Sequence, residues 1–180
     1  MSEKSILRTK RLILREWKKE DLDPFAKLNA DAKVREFFAT KKSYEESVEE
    51  YHAMIEGFKK YGWGFWAASL AKTDEFIGLI GLKYVDPIYP FSPAVEIGWR
   101  LANEFWGKGY ATEGALAALE YGFKTLNLNE IVAFTTQSNM RSRRVMEKIG
   151  MHRSDDDNFN HPLLQADHEL LKCVLYRVAR

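Results

Sequence analysis

The segment of this chain with the clearest chemical role is a glycine-rich turn, Trp106-Gly-Lys-Gly-Tyr-Ala-Thr-Glu113, which precedes a predicted helix. Such a turn exposes several backbone N–H groups at the helix start, where the helix dipole favours an anion. Gly107 and Gly109 lack a Cβ atom, so a phosphate group can approach the backbone closely, and Lys108 adds a positive charge. The pattern predicts a pyrophosphate-binding loop, with a plain glycine turn as the alternative.

Two common nucleotide-binding motifs do not account for this loop. The Walker motif requires a glycine, four residues and then Gly-Lys-Ser/Thr, which the segment 107–109 does not provide. The dinucleotide motif GxGxxG has Thr112 in place of its third glycine, and no acidic residue ends the next predicted strand over residues 129–135. Both the kinase and the dinucleotide interpretations are therefore disfavoured.

Composition limits the class of protein. The 180 residues are 46% hydrophobic and 29% charged, which predicts one globular domain over residues 1–180. The formal net charge of +1 disfavours a general nucleic-acid or membrane-surface binder, since both usually carry a basic excess. The one cysteine, Cys173, excludes an internal disulfide and a cysteine-rich zinc site. Residues 1–17 are too charged for a signal peptide and no long apolar run is visible, so we expect a cytoplasmic location.

Hydrophobic periodicity predicts the elements that position the loop. Strands are predicted over residues 11–15, 63–70, 76–85, 94–101, 129–135 and 170–178. Helices are predicted over residues 43–58, 112–126 and 138–149, and after Asp21 or Asp23, which are candidate caps. This alternation of helix and strand predicts an α/β (α+β) fold.

Three of these elements carry specific expectations about faces. The first helix should present Phe25, Leu28 and Val34 on one face, and the helix over 112–126 should turn Leu116, Leu119, Phe123 and Leu126 inward. In the strand 94–101, alternation places Val95, Ile97 and Trp99 on one face and Glu96, Gly98 and Arg100 on the other. Gly98 is a candidate position for a strand irregularity.

Taken in order and spacing, several segments resemble the GNAT superfamily of acetyl-CoA-dependent N-acyltransferases. The chain is most similar to the branch that contains the RimJ/RimL-type ribosomal-protein N-terminal acetyltransferases. The matching stretches lie at residues 9–17 with 20–22, 77–81, 96–101, 106–113 and 139–151. The resemblance implies a GNAT fold, with a central mixed, mostly antiparallel twisted sheet of about six to seven strands and about four helices. It also implies a splayed parallel pair of strands at the centre, over residues 96–101 and 130–136.

The resemblance implies a site for acetyl-CoA as co-substrate, with no metal. The superfamily signature Gln/Arg-x-x-Gly-x-Gly/Ala covers residues 106–111, and Trp106 departs from its first position. Asn139 is expected to contact the pantetheine arm, with helix capping as the alternative, and Arg144, from the basic cluster of Arg141, Arg143 and Arg144, is expected to meet the 3′-phosphate. The full set of implied cofactor-binding residues is Ile97, Trp99, Leu101, Trp106, Gly107, Lys108, Gly109, Tyr110, Ala111, Thr112, Asn139 and Arg144.

Similar enzymes transfer the acetyl group by direct attack of the amine in a ternary complex. Glu96 is the leading candidate for the general base, and a structural or solvent-facing carboxylate is the alternative. Ser142, three residues after Asn139, is expected to hydrogen-bond the leaving thiolate, with helix capping as the alternative. Cys173 lies in an alternating strand and is interpreted as a buried apolar residue rather than a nucleophile.

The acceptor side is predicted from the acidic segment 154–167, which suits a cationic amine. His161 and Asp157 are the candidate substrate-binding residues, and the adjacent aspartates lack the spacing of metal ligands. The resemblance points to a protein N-terminal α-amine as the acceptor and to a homodimer. A small-molecule amine (a polyamine, an amino sugar or an antibiotic) and a CoA-binding module without efficient transfer are the alternatives. No nucleic-acid or membrane partner is expected.

Overall fold

The computed structural model describes residues 6–180, and residues 1–5, which belong to the charged N-terminal segment discussed above, lie outside that description. Within this range the strands are β1 Leu7–Arg8, β2 Leu12–Arg15, β3 Phe65–Leu70, β4 Phe76–Tyr84, β5 Val95–Leu101, β6 Glu130–Thr136, β7 His152–Arg153, β8 Phe159–Asn160 and β9 Lys172–Ala179. The α-helices are α1 Leu22–Ala30, α2 Tyr44–Tyr61, α3 Tyr110–Lys124 and α4 Met140–Lys148.

The strands form one sheet in the order β1-β2-β3-β4-β5-β6-β9-β7, with β8 also paired to β9. Every described pairing is antiparallel except that of β5 with β6, which is parallel. The predicted mixed, mostly antiparallel fold is therefore confirmed. The sheet has nine described strands rather than six to seven, because three of them, β1, β7 and β8, are only 2 residues long.

Local capping chemistry sets where α2 begins, but it does not set where α1 begins. Ser43 starts α2 as expected: its Oγ accepts the Glu46 N–H at 3.1 Å, and the Glu46 carboxylate accepts the Ser43 N–H at 2.7 Å. Asp21 precedes α1 but makes no side-chain cap, because its buried carboxylate pairs with Arg15 at 2.7 Å. The expectation that α1 extends to Val34 was wrong, since the helix ends at Ala30.

Small residues bring α3 close to the sheet. Gly114, Ala115, Ala118 and Gly122 are buried together with Leu119, whereas Leu116, which was expected to point inward, is 48% exposed. A Cβ atom on Gly114 would lie 2.4 Å from Ile80 Cδ1, so a larger residue here would require the Ile80 side chain or the helix to shift. The packing fixes the position of the helix start, where the glycine loop lies.

The helices occupy both faces of the sheet. Arg100 of β5 hydrogen-bonds Asn29 of α1 and pairs with Glu50 of α2 at 3.0 Å. The neighbouring residue Trp99 points to the opposite face, as does its register partner Ile80, which contacts α3. The helices α1 and α2 therefore lie on the Arg100 face and α3 on the other. Within the described residues, no helix combines the length and the apolar character that crossing a bilayer requires.

The parallel pair β5–β6 separates soon after it meets. Its register contains the pair Glu96↔Val132, and both strands continue for several residues beyond it. The predicted splay is therefore present. Gly98 does not mark a bulge, because the register of β4 with β5 is continuous from Val95 to Leu101. Its missing side chain instead admits the ring of Phe65, which would lie 3.0 Å from an added Cβ atom.

Candidate active site

A cleft of about 1270 Å³ opens where β5 and β6 separate. It is lined by the ends of both strands, the loop before α3, the start of α4, one face of α2 and the segments that cover β9. The predicted site residues that line it are Glu96, Ile97, Trp99, Leu101, Trp106, Gly107, Gly109, Tyr110, Ala111, Thr112, Asn139, Ser142, Arg144 and His161. The structure therefore brings most of the predicted site together, and Lys108 and Asp157 lie outside this lining.

The glycine loop presents the N-terminus of α3 to the cleft. Gly107 and Gly109 both adopt positive φ angles, 74° and 81°, which favour glycine. Among residues 6–180, no heavy atom lies within 4 Å of a Cβ atom built on Gly107, and no side chain caps the first turn of α3. The first backbone N–H groups of the helix are thus free to bind an anion, as a diphosphate group requires. The loop fits the pyrophosphate of CoA.

The Lys108 side chain is exposed and lies beside an aromatic ring, outside the lining of the cleft. Its ammonium nitrogen lies 5.4 Å from the centre of the Phe105 ring, so the cation is drawn to an aromatic face. Its backbone carbonyl oxygen accepts a hydrogen bond from Arg11 Nη1 at 2.9 Å. Lys108 therefore contributes to the shape of the loop through its backbone, and the contact of its side chain with a phosphate stays a prediction.

The loop is braced by Arg11, which sequence reasoning missed. Arg11 Nε donates to Glu113 Oε2 at 2.6 Å, and the Arg11 guanidinium lies 4.7 Å from the centre of the Tyr110 ring. Glu113 also accepts from the Thr9 hydroxyl at 2.6 Å. Burial alone would raise the pKa of Glu113, but the bonds from Thr9 and Arg11 outweigh it and lower the pKa. The segment before β2 thus fixes the first turn of α3.

Trp106 and Arg141 form a contact across the mouth of the cleft. The Trp106 indole N–H donates to the Leu101 carbonyl at 2.8 Å, and the Arg141 guanidinium lies 4.6 Å above the ring. Arg141 also pairs with Glu36, in the segment between α1 and α2. In the basic cluster, Arg143 turns away and donates to the Gln137 carbonyl at 2.9 Å, whereas Arg141 and Arg144 line the cleft.

Asn139 joins the end of β6 to the start of α4. Its Oδ1 accepts the Ser142 N–H at 3.2 Å, and its Nδ2 donates to Thr135 Oγ1 at 2.9 Å. The capping alternative for Asn139 is thus present in the structure, and the same bonds fix its side chain against the cleft. Ser142 presents its partly exposed side chain to the cleft on the first turn of α4.

Glu96 is a poorly solvated carboxylate beside the gap between the strands. Burial raises its pKa to about 7, and the charge of Lys83, its register partner on β4, acts in the opposite direction. Among residues 6–180, no hydrogen bond or ion pair to its carboxylate is found. A carboxylate with a pKa near 7 can accept a proton at neutral pH, as a general base must.

Cys173 is unsuited to nucleophilic attack. The side chain is buried, and burial raises the pKa of its thiol to about 11. The thiolate is therefore scarce at neutral pH, which agrees with the expectation that no acyl-enzyme forms.

His161 lies in the cleft and Asp157 does not. The His161 Nε2 atom lies 3.2 Å from the Tyr89 hydroxyl, and its Nδ1 accepts the Leu163 N–H at 3.3 Å. Asp157 is held by Arg177, whose Nε lies 3.1 Å from Asp157 Oδ2. Arg177 thus takes up the Asp157 carboxylate, and Asp155 pairs with Arg153, while the acidic rim expected from the segment 154–167 stays a prediction.

Sequence reasoning also missed the ionic contacts beneath the acceptor side of the cleft. Burial would raise the pKa of Glu50, but the charges of Arg100 and Lys42 outweigh it and lower the pKa to about 2. Lys42 Nζ lies 2.8 Å from Glu50 Oε2. These partners lie 50 or more residues from Arg100 in sequence, so no local pattern could reveal them. Within the described part of the chain, no group of three or more His, Cys, Asp or Glu side chains is arranged to hold a metal ion.

Comparison with known proteins gives a consistent result. A family model described as the acetyltransferase (GNAT) domain matches residues 11–152. YnaD, an uncharacterized N-acetyltransferase of Bacillus subtilis (strain 168), is 34% identical over 146 residues, which cover 81% of each chain. The crystal structure of an acetyltransferase from Agrobacterium tumefaciens str. C58 superposes with a TM-score of 0.78 at 27% identity, covering 97% of this chain and 94% of that one.

Two further solved structures share the fold at lower identity. One is the ribosomal L7/L12 alpha-N-protein acetyltransferase RimL in complex with coenzyme A, with a TM-score of 0.77, 16% identity and coverage of 97% of this chain and 98% of that one. The other is the spermidine N-acetyltransferase of Vibrio cholerae in complex with CoA and spermine, with a TM-score of 0.73, 21% identity and coverage of 95% and 96%. At such identities the likeness concerns the fold alone.

Proposed function

Because this chain belongs to the GNAT family of acetyltransferases, and is thus an acetyl-CoA-dependent acyltransferase, we propose that it acetylates a protein N-terminal α-amine. The amine attacks the thioester carbonyl directly in a ternary complex, and no acyl-enzyme forms. This assignment follows the resemblance to the RimJ/RimL-like branch. A cytoplasmic location, a homodimer and the absence of nucleic-acid and membrane partners stay predictions from the sequence.

The observation that carries this proposal is the environment of Glu96. The carboxylate lines the cleft at the point where β5 and β6 part, and burial raises its pKa to about 7. A base with this pKa is largely deprotonated just above neutral pH and still binds a proton strongly enough to remove one from an ammonium group. Glu96 would take the proton of the acceptor as the amine attacks.

The same pKa favours an α-amine over a lysine side chain. An α-ammonium group has a pKa of about 8, so transfer of its proton to a base of pKa about 7 costs about 1.4 kcal/mol. A lysine ammonium with a pKa of about 10.4 would cost about 4.6 kcal/mol in the same step. The weaker acid would need further desolvation, so the N-terminal amine is the better match for Glu96.

The residues around the gap divide the remaining tasks. The turn at Gly107 and Gly109 would hold the pyrophosphate through backbone N–H groups, and Arg144 the 3′-phosphate. Backbone groups of β5 that lose their partner beyond Glu96 would bind the pantetheine arm and the developing oxyanion. Ser142 would donate its hydroxyl to the departing sulfur, since it lines the cleft at the start of α4.

Thiol release with acetyl-CoA, measured across N-terminal peptides, lysine side-chain peptides, polyamines and aminoglycosides, tests the proposal. We expect the highest kcat/KM for peptides with a free N-terminus, and a loss of that activity in Glu96→Gln. Higher rates with a polyamine or an aminoglycoside would favour the small-molecule alternative. Equal, near-zero rates with every amine, together with a thermal shift by CoA, would favour a CoA-binding module.

A further inference from the structure

The wall of the cleft next to Glu96 is aromatic on one side. Val132 pairs with Glu96 and shares its face of the sheet, and so does Phe134, two residues further along β6. The Tyr89 ring packs on Phe134 at 4.8 Å between centroids, and the His161 ring lies 5.6 Å from Tyr89. These rings line the cleft, so an acceptor amine held at Glu96 has apolar surface beside it.

The polar atoms of this wall are already paired with one another. The Tyr89 hydroxyl and His161 Nε2 lie 3.2 Å apart, and His161 Nδ1 accepts the Leu163 N–H at 3.3 Å. Burial and the charge of His168 lower the pKa of His161, so its ring is neutral at neutral pH. Cys173, which also lines this wall, keeps its proton. Among the described residues, this wall therefore offers a bound acceptor no charged side chain, and its polar side chains, Tyr89 and His161, bind one another.

Leu164 extends this surface from the segment that covers β9. Its side chain is half-buried and lines the cleft, whereas the adjacent Leu163 is 69% exposed and lies outside the lining. The two leucines thus differ in position although they are neighbours in the chain. This pair provides a matched comparison for any role of the apolar wall.

At the end of the cleft lined by α2, some of the carboxylates are already bound by other groups of the protein. Glu50 binds Arg100 and Lys42, and Glu46 holds the N–H of Ser43. Glu49 remains at the exposed mouth of the cleft, where Lys33 and Lys42 also line it. A polycationic acceptor needs a row of free carboxylates, and at this end of the cleft only Glu46 and Glu49 lack an ion pair among the described residues, with Lys33 and Lys42 beside them.

We infer that the acceptor of this N-acetyltransferase carries an uncharged, apolar group on the carbon next to its amine, and that this group packs against Tyr89, Phe134 and Leu164 while the amine reaches Glu96. The inference rests on the proposed function and narrows it to N-termini with an apolar first residue. Burial of such a side chain gives a hydrophobic contact, whereas a charged first residue would lose its hydration against the same wall without a partner.

The test uses the full chain with acetyl-CoA and four peptides that differ only in their first residue, which is Leu, Gln, Asp or Arg. We expect kcat/KM for the Leu peptide to exceed that for the Asp and Arg peptides by at least about tenfold, as apolar pockets typically discriminate. Leu164→Asp should reduce this ratio to near one. Leu163→Asp, on the exposed neighbour, should leave it unchanged.

Two kinds of outcome separate this inference from the proposed function. If peptides are acetylated but the Arg or Asp peptide is equal to or better than the Leu peptide, or spermidine is better than all of them, the apolar pocket is refuted and N-acetylation stands. If no amine is acetylated, the proposed function fails. Calorimetric binding of the same peptides to the CoA-loaded protein then decides the inference, since equal affinities, or none, would refute it.

Discussion

Glu96 and Val132 form a register pair at the point where the parallel strands β5 and β6 part. The candidate base is therefore anchored by sheet pairing on one side of the gap, while the strand beyond it is free to receive a ligand. In the proposed function, proton acceptance and thioester binding would therefore lie within a few residues of one strand. This placement follows from backbone geometry, and the side chain supplies only the carboxylate.

Replacement of Glu96 by glutamine should remove the base and retain the shape of the site. We expect kcat with an N-terminal peptide to fall by about 100-fold or more at pH 7.5, with the affinity for CoA unchanged. In the wild type, kcat/KM should rise with pH through about 7 as Glu96 loses its proton, and this rise should be absent from the variant. Glu75→Gln, on an exposed carboxylate far from the cleft, is the control. An unchanged pH profile in Glu96→Gln would contradict the assignment.

Glu96→Gln should lower activity but raise the free energy of unfolding. The pKa of Glu96 rises from 4.5 to about 7 on folding, so its ionisation disfavours the folded state. The folded state does not bear this cost below pH about 4.5. The cost grows between pH about 4.5 and about 7, and it is fully present above pH about 7. At pH 8.5 we expect Glu96→Gln to be more stable than the wild type by on the order of 3 kcal/mol, and near pH 5 by much less. Thermal unfolding at both pH values measures this, and equal Tm differences at the two values would argue against it.

We expect Arg11 to affect the affinity for acetyl-CoA but not the rate of the chemical step. Arg11→Ala removes the bonds to Glu113 and to the Lys108 carbonyl and leaves the loop before α3 less ordered. We expect KM for acetyl-CoA to rise about fivefold, as the loss of about 1 kcal/mol predicts, with kcat nearly constant. Lys10→Ala, on the exposed neighbour, is the matched control. A fall in kcat with constant KM would show that Arg11 acts on the reaction itself.

Arg100 should be important for stability, because its removal takes an ion-pair partner from Glu50, whose side chain is mostly buried. Arg100→Met leaves Glu50 with Lys42 as its remaining ion pair among the described residues, beside the charge of Arg35, and we expect a loss of about 3 kcal/mol in the free energy of unfolding. The double variant Arg100→Met/Glu50→Met should regain part of it. Denaturant unfolding measures both, and Lys124→Met, which breaks an exposed pair with Glu120, should have no measurable effect. Equal stability of the single and double variants would show that the buried charge is not the cause.

The features that could be predicted from the sequence are those that depend on residues close together in the chain. Ser43 finds its capping partner three residues away, and the two glycines of the loop need no partner at all. The contacts that the sequence could not show are those between distant residues. Glu113 meets Arg11 across 102 positions, and Asp157 is held by Arg177, 20 positions away. A charge pattern read along the chain cannot show which carboxylates the fold itself pairs, so the segment 154–167 does not reveal that Asp157 meets Arg177.

The close packing of α3 makes cofactor binding depend on positions that no ligand touches. Gly114 and Gly122 set how near the helix lies to Ile80 and Ile131, with a Cβ atom at Gly122 only 2.6 Å from Ile131 Cδ1. A larger residue at either site would require the isoleucine side chain or the helix to shift, and a shifted helix would carry its first turn away from the proposed phosphate site. In a random mutagenesis screen such a change would score as a loss of CoA affinity and mimic a binding-site mutation. The position of the proposed anion site thus depends on Gly114 and Gly122, which lie where α3 packs on the sheet and not in the loop itself.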